Sequence, residues 1–324
     1  MGLDRLALDC LMRVGAVFAG QGSQVVGMGG AIAARFPPAA DLFERAERVL
    51  GYDLLALIQN GPQDKLRQTR FSQPAIYVVN YALAVVACEG LRPIASAGHS
   101  FAEFCSLTLA GSVTFEVALG LVHARALAMQ AAADAVPGTM AAILGLPAHR
   151  VAQVVAAARA AGRVQLANFN APSQVVISGD VAAVALASEL AVAAGAKRVV
   201  ALNVSGAWHS ELMEPARERF APLVEAAELA LPAFTVISNV DCERYSAVAA
   251  IRRNLIRSVT SEVLWHATAE RLVAEGLELV VEFGGSPVLT PLLKRLPNAP
   301  RTLHVGDENG VDALRGTFAA QASA

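Results

Sequence analysis

The stretch Ala97-Gly98-His99-Ser100-Phe101-Ala102-Glu103-Phe104-Cys105 (AGHSFAEFC) follows a short apolar run, Ile94 to Ala97, and opens another, Phe101 to Ala110. It almost spells G-x-S-x-G, the sharp strand-to-helix turn that holds a serine hydroxyl clear of its backbone, with Ala102 in place of the last glycine. Strand, turn and apolar helix are the context that this motif requires, so the stretch predicts an elbow with Ser100 at its tip. Alanine fits at position 102 if that residue lies in the first helical turn at negative φ, at the cost of crowding by one methyl group.

Upstream, Val14 to Ala19 (VGAVFA) reads as a buried strand feeding the glycine loop Gly20-Gln21-Gly22-Ser23-Gln24. The loop lacks the third glycine of a dinucleotide fingerprint and the lysine of a P-loop, which argues against a phosphate cradle. Ala31 to Ile58 has helical apolar spacing, and Ser72 to Val86 predicts a long apolar helix with Pro74 in its first turn.

The rhythm changes near Pro137-Gly138. Met140–Leu146, Val164–Asn168, Val175–Ser178 and Arg198–Leu202 read as strands, with helices over His149–Ala161 and Val181–Ala194. This β-α-β-β-α-β order is that of the ferredoxin-like unit. The predicted organisation is therefore a large α/β body from residues 1–136 and 205–324, with a small subdomain at 137–204 inserted into it. Helices over Glu211–Ala227 and Ala249–Glu275, a strand at Phe234–Ser238, a last clear strand at Leu277–Phe283 and a helix at Val288–Leu296 complete the reading.

Composition narrows the function classes. The chain has 324 residues, 55% hydrophobic and 17% charged, enough for a large core. A formal net charge of −2 removes the electrostatic case for nucleic acid. Cys10, Cys88, Cys105 and Cys242 are scattered without metal-ligand spacing, which fits a reducing cytoplasm. No charge-free run approaches membrane-spanning length, and Asp4 and Asp9 interrupt any signal-peptide core, so no membrane partner is expected. Residues 1–11 read as an upstream extension, because Met12-Arg13 directly precedes the first strand.

Eight separated segments then agree with one family in order: FAGQGSQ (Phe18–Gln24), SQPA (Ser72–Ala75), GHSFAE (Gly98–Glu103), RALAMQ (Arg125–Gln130), NFNAPSQVVISG (Asn168–Gly179), VSGAWHSELM (Val204–Met213), SNVD (Ser238–Asp241) and EFGGSPVLTPLLKR (Glu282–Arg295). The chain resembles malonyl-CoA:acyl carrier protein transacylases and the acyltransferase domains of polyketide synthases over nearly all of Met12 to Arg295. The resemblance implies an α/β-hydrolase-like body with a parallel sheet and an inserted ferredoxin-like subdomain. It implies malonyl-CoA and an acyl carrier protein as partners, with a polyketide synthase among the assemblies that such a carrier serves. Acyl-CoA and carrier phosphopantetheine enter as substrates, with no bound cofactor.

Each implied residue has a chemical reason. A serine hydroxyl is a weak nucleophile without a base, and His209 is the candidate partner for Ser100. The backbone N–H groups of Gln21 and Phe101 are the natural donors to an oxyanion. The family orients its histidine with a backbone carbonyl, here assigned to Leu264, where Glu262-Val263-Leu264-Trp265 replaces the usual P-V-Q-W. Arg125, in an apolar helix, offers paired donors that match a free carboxylate on the acyl group. Trp208, where relatives often carry phenylalanine or serine, either narrows the acyl pocket against branched groups or turns outward and widens it. Gln73, Asn168, Asn170 and Glu282 are candidates for holding loops or contacting the pantetheine arm.

Other functions remain open on sequence alone. One is acyl-thioester editing by hydrolysis or transfer of an unusual acyl group. Another is the malonyl-transfer subunit of a malonate decarboxylase, and a third is a non-catalytic docking subunit of a synthase. Basic pairs at Lys197-Arg198, Arg252-Arg253 and Lys294-Arg295 are possible contacts for an acidic carrier.

Overall fold

A computed structural model describes residues 12–322 of the chain. The expected extension at 1–11, with Cys10, lies outside the described residues. Nine strands form two sheets: β1 Val14–Phe18, β2 Ala95–Gly98, β3 Gly138–Leu144, β4 Val164–Ala171, β5 Gln174–Asp180, β6 Arg198–Ala201, β7 Thr235–Val236, β8 Leu279–Phe283 and β9 Arg301–Val305.

The larger sheet has the order β7-β2-β1-β8-β9, with every adjacent pair parallel. Parallel strands need crossovers, and helices on both faces bury the middle strands on two sides. This is why VGAVF of β1 and LVVEF of β8 are buried at every position and read as near-continuous apolar runs. Phe18 and Phe283, at the ends of these two strands, stack with centroids 5.5 Å apart. Loops leaving the carboxyl ends of β1 and β2 then meet over one crevice, the usual ligand position in such sheets.

The second sheet is antiparallel, in the order β4-β5-β3-β6. With helices Ala148–Ala158 and Val181–Ala193 it has the β-α-β-β-α-β element order predicted from sequence. Its own core joins Ile143, Val151, Val155, Val175, Ile177 and Ala187. One seam ties it to the larger body: Phe169 N–H donates to the Val263 carbonyl at 2.9 Å, and Val263 N–H to the Ala167 carbonyl at 2.8 Å.

Four expectations need correction. The apolar spacing over 31–58 resolves into helices Gly30–Arg35, Pro37–Leu50 and Leu54–Asn60. The long apolar helix begins at Thr69, so Pro74 lies inside it and not in its first turn. The span read as one helix at 249–275 is two, Val248–Arg257 and Trp265–Val273. The first stops where Ser258 Oγ takes up the Leu255 carbonyl at 2.8 Å, an alternative that serine offers to helix continuation. Finally, β8 is not the last strand. β9 follows at an edge, half exposed, with an apolar signal too short to stand out. Of the basic pairs, Arg252 is used inside the fold, donating to the carbonyls of Val224, Glu225 and Ala227.

The turn after β2 depends on Gly98. A Cβ there would lie 2.1 Å from both the carbonyl carbon and oxygen of Ala102, because the helix folds straight back onto the strand. Ala102 itself has φ −66°, so its methyl group is tolerated as expected. We predict that Gly98→Ala, which forces backbone apart, costs about 3 kcal/mol or more in urea unfolding. Gly120→Ala, inside helix Phe115–Ala135 with nothing within 4 Å of the new methyl, should instead stabilise by about 0.5–1 kcal/mol. A small loss at Gly98 would mean that the elbow is not clamped there.

Candidate active site

Ser100 stands between β2 and the following helix with φ 57°, a left-handed conformation that costs a residue with a side chain about 1–3 kcal/mol. His209 is held in the same region, at φ 59°. These two strained backbones aim their side chains at one another: Ser100 Oγ lies 2.7 Å from His209 Nε2. On the far side of the ring, His209 Nδ1 lies 3.0 Å from the Ser261 carbonyl oxygen. A carbonyl only accepts, so Nδ1 carries the proton and Nε2 offers its lone pair to the serine hydroxyl. Burial pushes the His209 pKa down to about 3; the nearby charges of Arg125 and His99 act in the same direction, and the carbonyls of Ser261 and Ser258 oppose it. The imidazole is therefore neutral near pH 7.

The orienting carbonyl is thus that of Ser261, not Leu264. Leu264 caps the helix that begins at Trp265, and its carbonyl is taken by Thr268, from N–H at 2.9 Å and Oγ1 at 3.0 Å. The Ser261 carbonyl lies in the break between the two helices, outside any helical ladder.

Gln21 and Phe101 flank the pair. The first-strand loop presses on the elbow so closely that a Cβ on Gly20 would sit 2.6 Å from the His99 carbonyl oxygen. Gln21 lines the cavity next to Ser100, and its side chain donates to Thr69 Oγ1 at 3.1 Å. Phe101 opens the helical turn directly after Ser100 with its ring buried.

Around these groups lies a cavity of about 570 Å³, whose wall includes Ser100, His209, Arg125, Gln73, Trp208 and Met129. Arg125 is 1% exposed on helix Phe115–Ala135. Its Nη1 donates to Gln73 Oε1 at 3.0 Å, while Nε and Nη2 have no partner among the described residues. Desolvation lowers its pKa to about 9, which leaves it charged at neutral pH. Gln73 is buried between Arg125 and Gln21. Trp208 is buried and faces the cavity, not outward; Gly206 makes room for it, since a Cβ there would approach the ring to 2.7 Å.

Two weaker candidates have other places. Asn170 does not line the cavity; its Oδ1 lies 3.0 Å from His99 Nε2. Glu282 is buried and accepts N–H bonds from Val288, Leu289 and Thr290 at 2.7, 2.7 and 2.6 Å, fixing the turn after β8. Asn168 does line the cavity.

Several residues of the site escape sequence reasoning. His99 lines the cavity and rests against Trp265. Glu103 is 2% exposed and bonded to Asn239 and Tyr245, with its pKa raised to about 7 by burial. Asn239 Nδ2 in turn reaches the Ser100 carbonyl at 3.4 Å, bracing the elbow from below. A carboxylate opening an otherwise apolar helix was a visible signal for Glu103. Ser261 gave none, because its role depends on which loops come together. Among the described residues no cluster of three or more His, Cys, Asp or Glu side chains could hold a metal ion, and no helix is long and apolar enough to cross a membrane.

The family profile described as acyl transferase domain matches residues 16–303. The malonyl CoA-acyl carrier protein transacylase of Bacillus subtilis is 38% identical over 304 residues, 93% of this chain and 96% of that protein. The transacylase of Escherichia coli K12 is 40% identical over 86% of this chain and 91% of its own. Among solved structures, an acyl carrier protein S-malonyltransferase from Vibrio cholerae superposes with a TM-score of 0.88 at 39% identity, covering 93% of this chain and 99% of that one. A malonyl-transacylase in complex with a type II PKS acyl carrier protein gives 0.90 at 37% identity, over 94% and 99%. The pairing of Ser100 with His209 beside a buried arginine thus occurs in a chain that belongs to the acyltransferase family of the malonyl CoA-acyl carrier protein transacylases.

Proposed function

We propose that the protein transfers a malonyl group from malonyl-CoA to the phosphopantetheine thiol of an acyl carrier protein, through an ester on Ser100. His209 Nε2 takes the Ser100 proton as Oγ bonds to the thioester carbon. The oxygen that becomes negative is met by the N–H groups of Gln21 and Phe101. The C–S bond then breaks, and the imidazolium returns its proton to the departing CoA sulfur. In the second half the carrier thiol gives its proton to His209 and attacks the ester, and Ser100 leaves with that proton. The chemistry needs no cofactor beyond the pantetheine thioesters themselves.

The observation that carries this reading is Arg125. Nε and Nη2 lie on one edge of the guanidinium, that edge has no partner among the described residues, and Arg125 lines the cavity that contains Ser100. A carboxylate matches it in charge and in bidentate geometry, and a neutral acyl group leaves it unsatisfied. This favours malonyl transfer over hydrolysis of neutral acyl thioesters. In architectural terms we read the parallel-sheet body, 1–136 and 205–324, as α/β-hydrolase-like and the unit at 137–204 as a ferredoxin-like insertion, acting in the cytoplasm.

Ser100→Ala should abolish acyl-enzyme formation, followed by mass spectrometry after malonyl-CoA addition. His209→Ala should slow loading by roughly 10³-fold or more while leaving a residue of activity, since the oxyanion donors remain. Malonylation of the Ser100→Ala protein during turnover would remove the nucleophile assignment.

Trp208→Phe or Trp208→Ser enlarges the wall beside the malonyl C2 carbon. The ratio of kcat/KM for methylmalonyl-CoA to that for malonyl-CoA should rise by roughly 10-fold or more, as expected for room for one methyl group. An unchanged ratio in a competition assay would show that the ring does not contact the acyl group.

Arg125→Ala leaves the malonyl carboxylate desolvated without a partner, which should cost roughly 3–5 kcal/mol in kcat/KM. Transfer of acetyl from acetyl-CoA escapes this penalty, so the preference between the two donors should invert. An equal fall for both would mark Arg125 as structural and defeat the malonyl assignment.

A further inference from the structure

Beyond the reacting groups, we infer that Gln165 is a positioning residue that sets the His209 imidazole against Ser100, a role that rests on the reading of His209 as the base. Gln165 belongs to β4 of the small sheet, a strand whose neighbouring Val164 faces the small core while Gln165 faces the larger body. Its Nε2 donates to the His209 carbonyl at 3.1 Å and to the Thr260 carbonyl at 3.4 Å. Its Oε1 accepts from Glu211 N–H at 3.0 Å. One amide therefore cross-links three peptide groups from two loops that have no strand pairing of their own.

These two loops carry the two ends of the bond that orients the base. The first holds His209 in its left-handed conformation; the second presents the Ser261 carbonyl, one peptide beyond Thr260, to His209 Nδ1 at 3.0 Å. The seam between β4 and Val263 fixes the second loop from its other side. Without Gln165, the His209 and Thr260 carbonyls lose their shared donor and the loops are free to part. The ring can then turn, and its Nε2 leaves the 2.7 Å contact with Ser100 Oγ. Displacements of this order cost large factors in rate because a base must sit within hydrogen-bond reach of its proton. Gln165 is not among the cavity-lining residues, so substrate binding is not its task.

The test is a double-mutant cycle on the full chain, read as the single-turnover rate of Ser100 malonylation and as KM for malonyl-CoA. Gln165→Leu removes all three bonds with an apolar side chain one bond shorter. Gln165→Glu keeps the acceptor for Glu211 N–H and removes both donors. Both should slow loading roughly tenfold or more, with KM changed less than twofold. In a His209→Ala background either substitution should change the rate less than twofold, because the group being positioned is gone. Equal losses with and without His209, or a loss carried in KM, would overturn the proposal. Rates are normalised to the fraction of enzyme that forms acyl-serine, so partial misfolding of the leucine variant does not imitate the effect, and the near-isosteric glutamate variant gives a second reading. If His209→Ala by itself loads at the parental rate, the base assignment fails first, a result distinct from failure of the clamp.

Discussion

The 2.7 Å contact between Ser100 Oγ and His209 Nε2 joins residues 109 positions apart, both held at left-handed φ. Each strained residue costs about 1–3 kcal/mol and persists only because its surroundings over-determine it. At Ser100 the constraint comes from the collapse of the helix onto Gly98, the pressure of the first-strand loop on His99 and the Asn239 side chain beneath the elbow. At His209 it comes from Gln165 and the Ser261 carbonyl. The parallel sheet thus carries Ser100, and a strand of the antiparallel sheet reaches the loop that holds His209.

Electrostatics reinforce this arrangement. The site buries a guanidinium beside a neutral imidazole; burial disfavours the charged form of both, and at His209 the Arg125 charge adds to that effect. Burial first, and the Arg125 charge second, keep His209 unprotonated, while Nε and Nη2 of Arg125 have no partner among the described residues. A buried guanidinium with two unpartnered nitrogens gives up stability, as functional sites commonly do.

The parts of the protein whose physics is local can be read along the chain. The elbow was legible because strand, glycine, serine and apolar helix are contiguous. The β-α-β-β-α-β order of the small unit was legible because apolar periodicity changes with each element. The parallel core strands were legible as unbroken apolar runs. Ser100, His209, Gln21, Gln73, Arg125 and Trp208 were named from motif and residue chemistry, and all six line one cavity.

Which groups surround those residues emerges only when distant loops fold together. The apolar spacing of 249–275 does not disclose the break at Ser258, so the carbonyl facing His209 could not be read, and the choice of Leu264 failed on a helical bond to Thr268. Asn170 and Glu282 were open between holding loops and contacting the pantetheine arm, and only the fold shows Asn170 beside His99 and Glu282 fixing the turn after β8. Gln165, on a strand more than forty residues before His209, carries no local mark of its partners. The reason is geometric: a side chain's identity is written in the chain, whereas a backbone carbonyl is common to every residue, and only the folding of distant loops selects the one that meets the base.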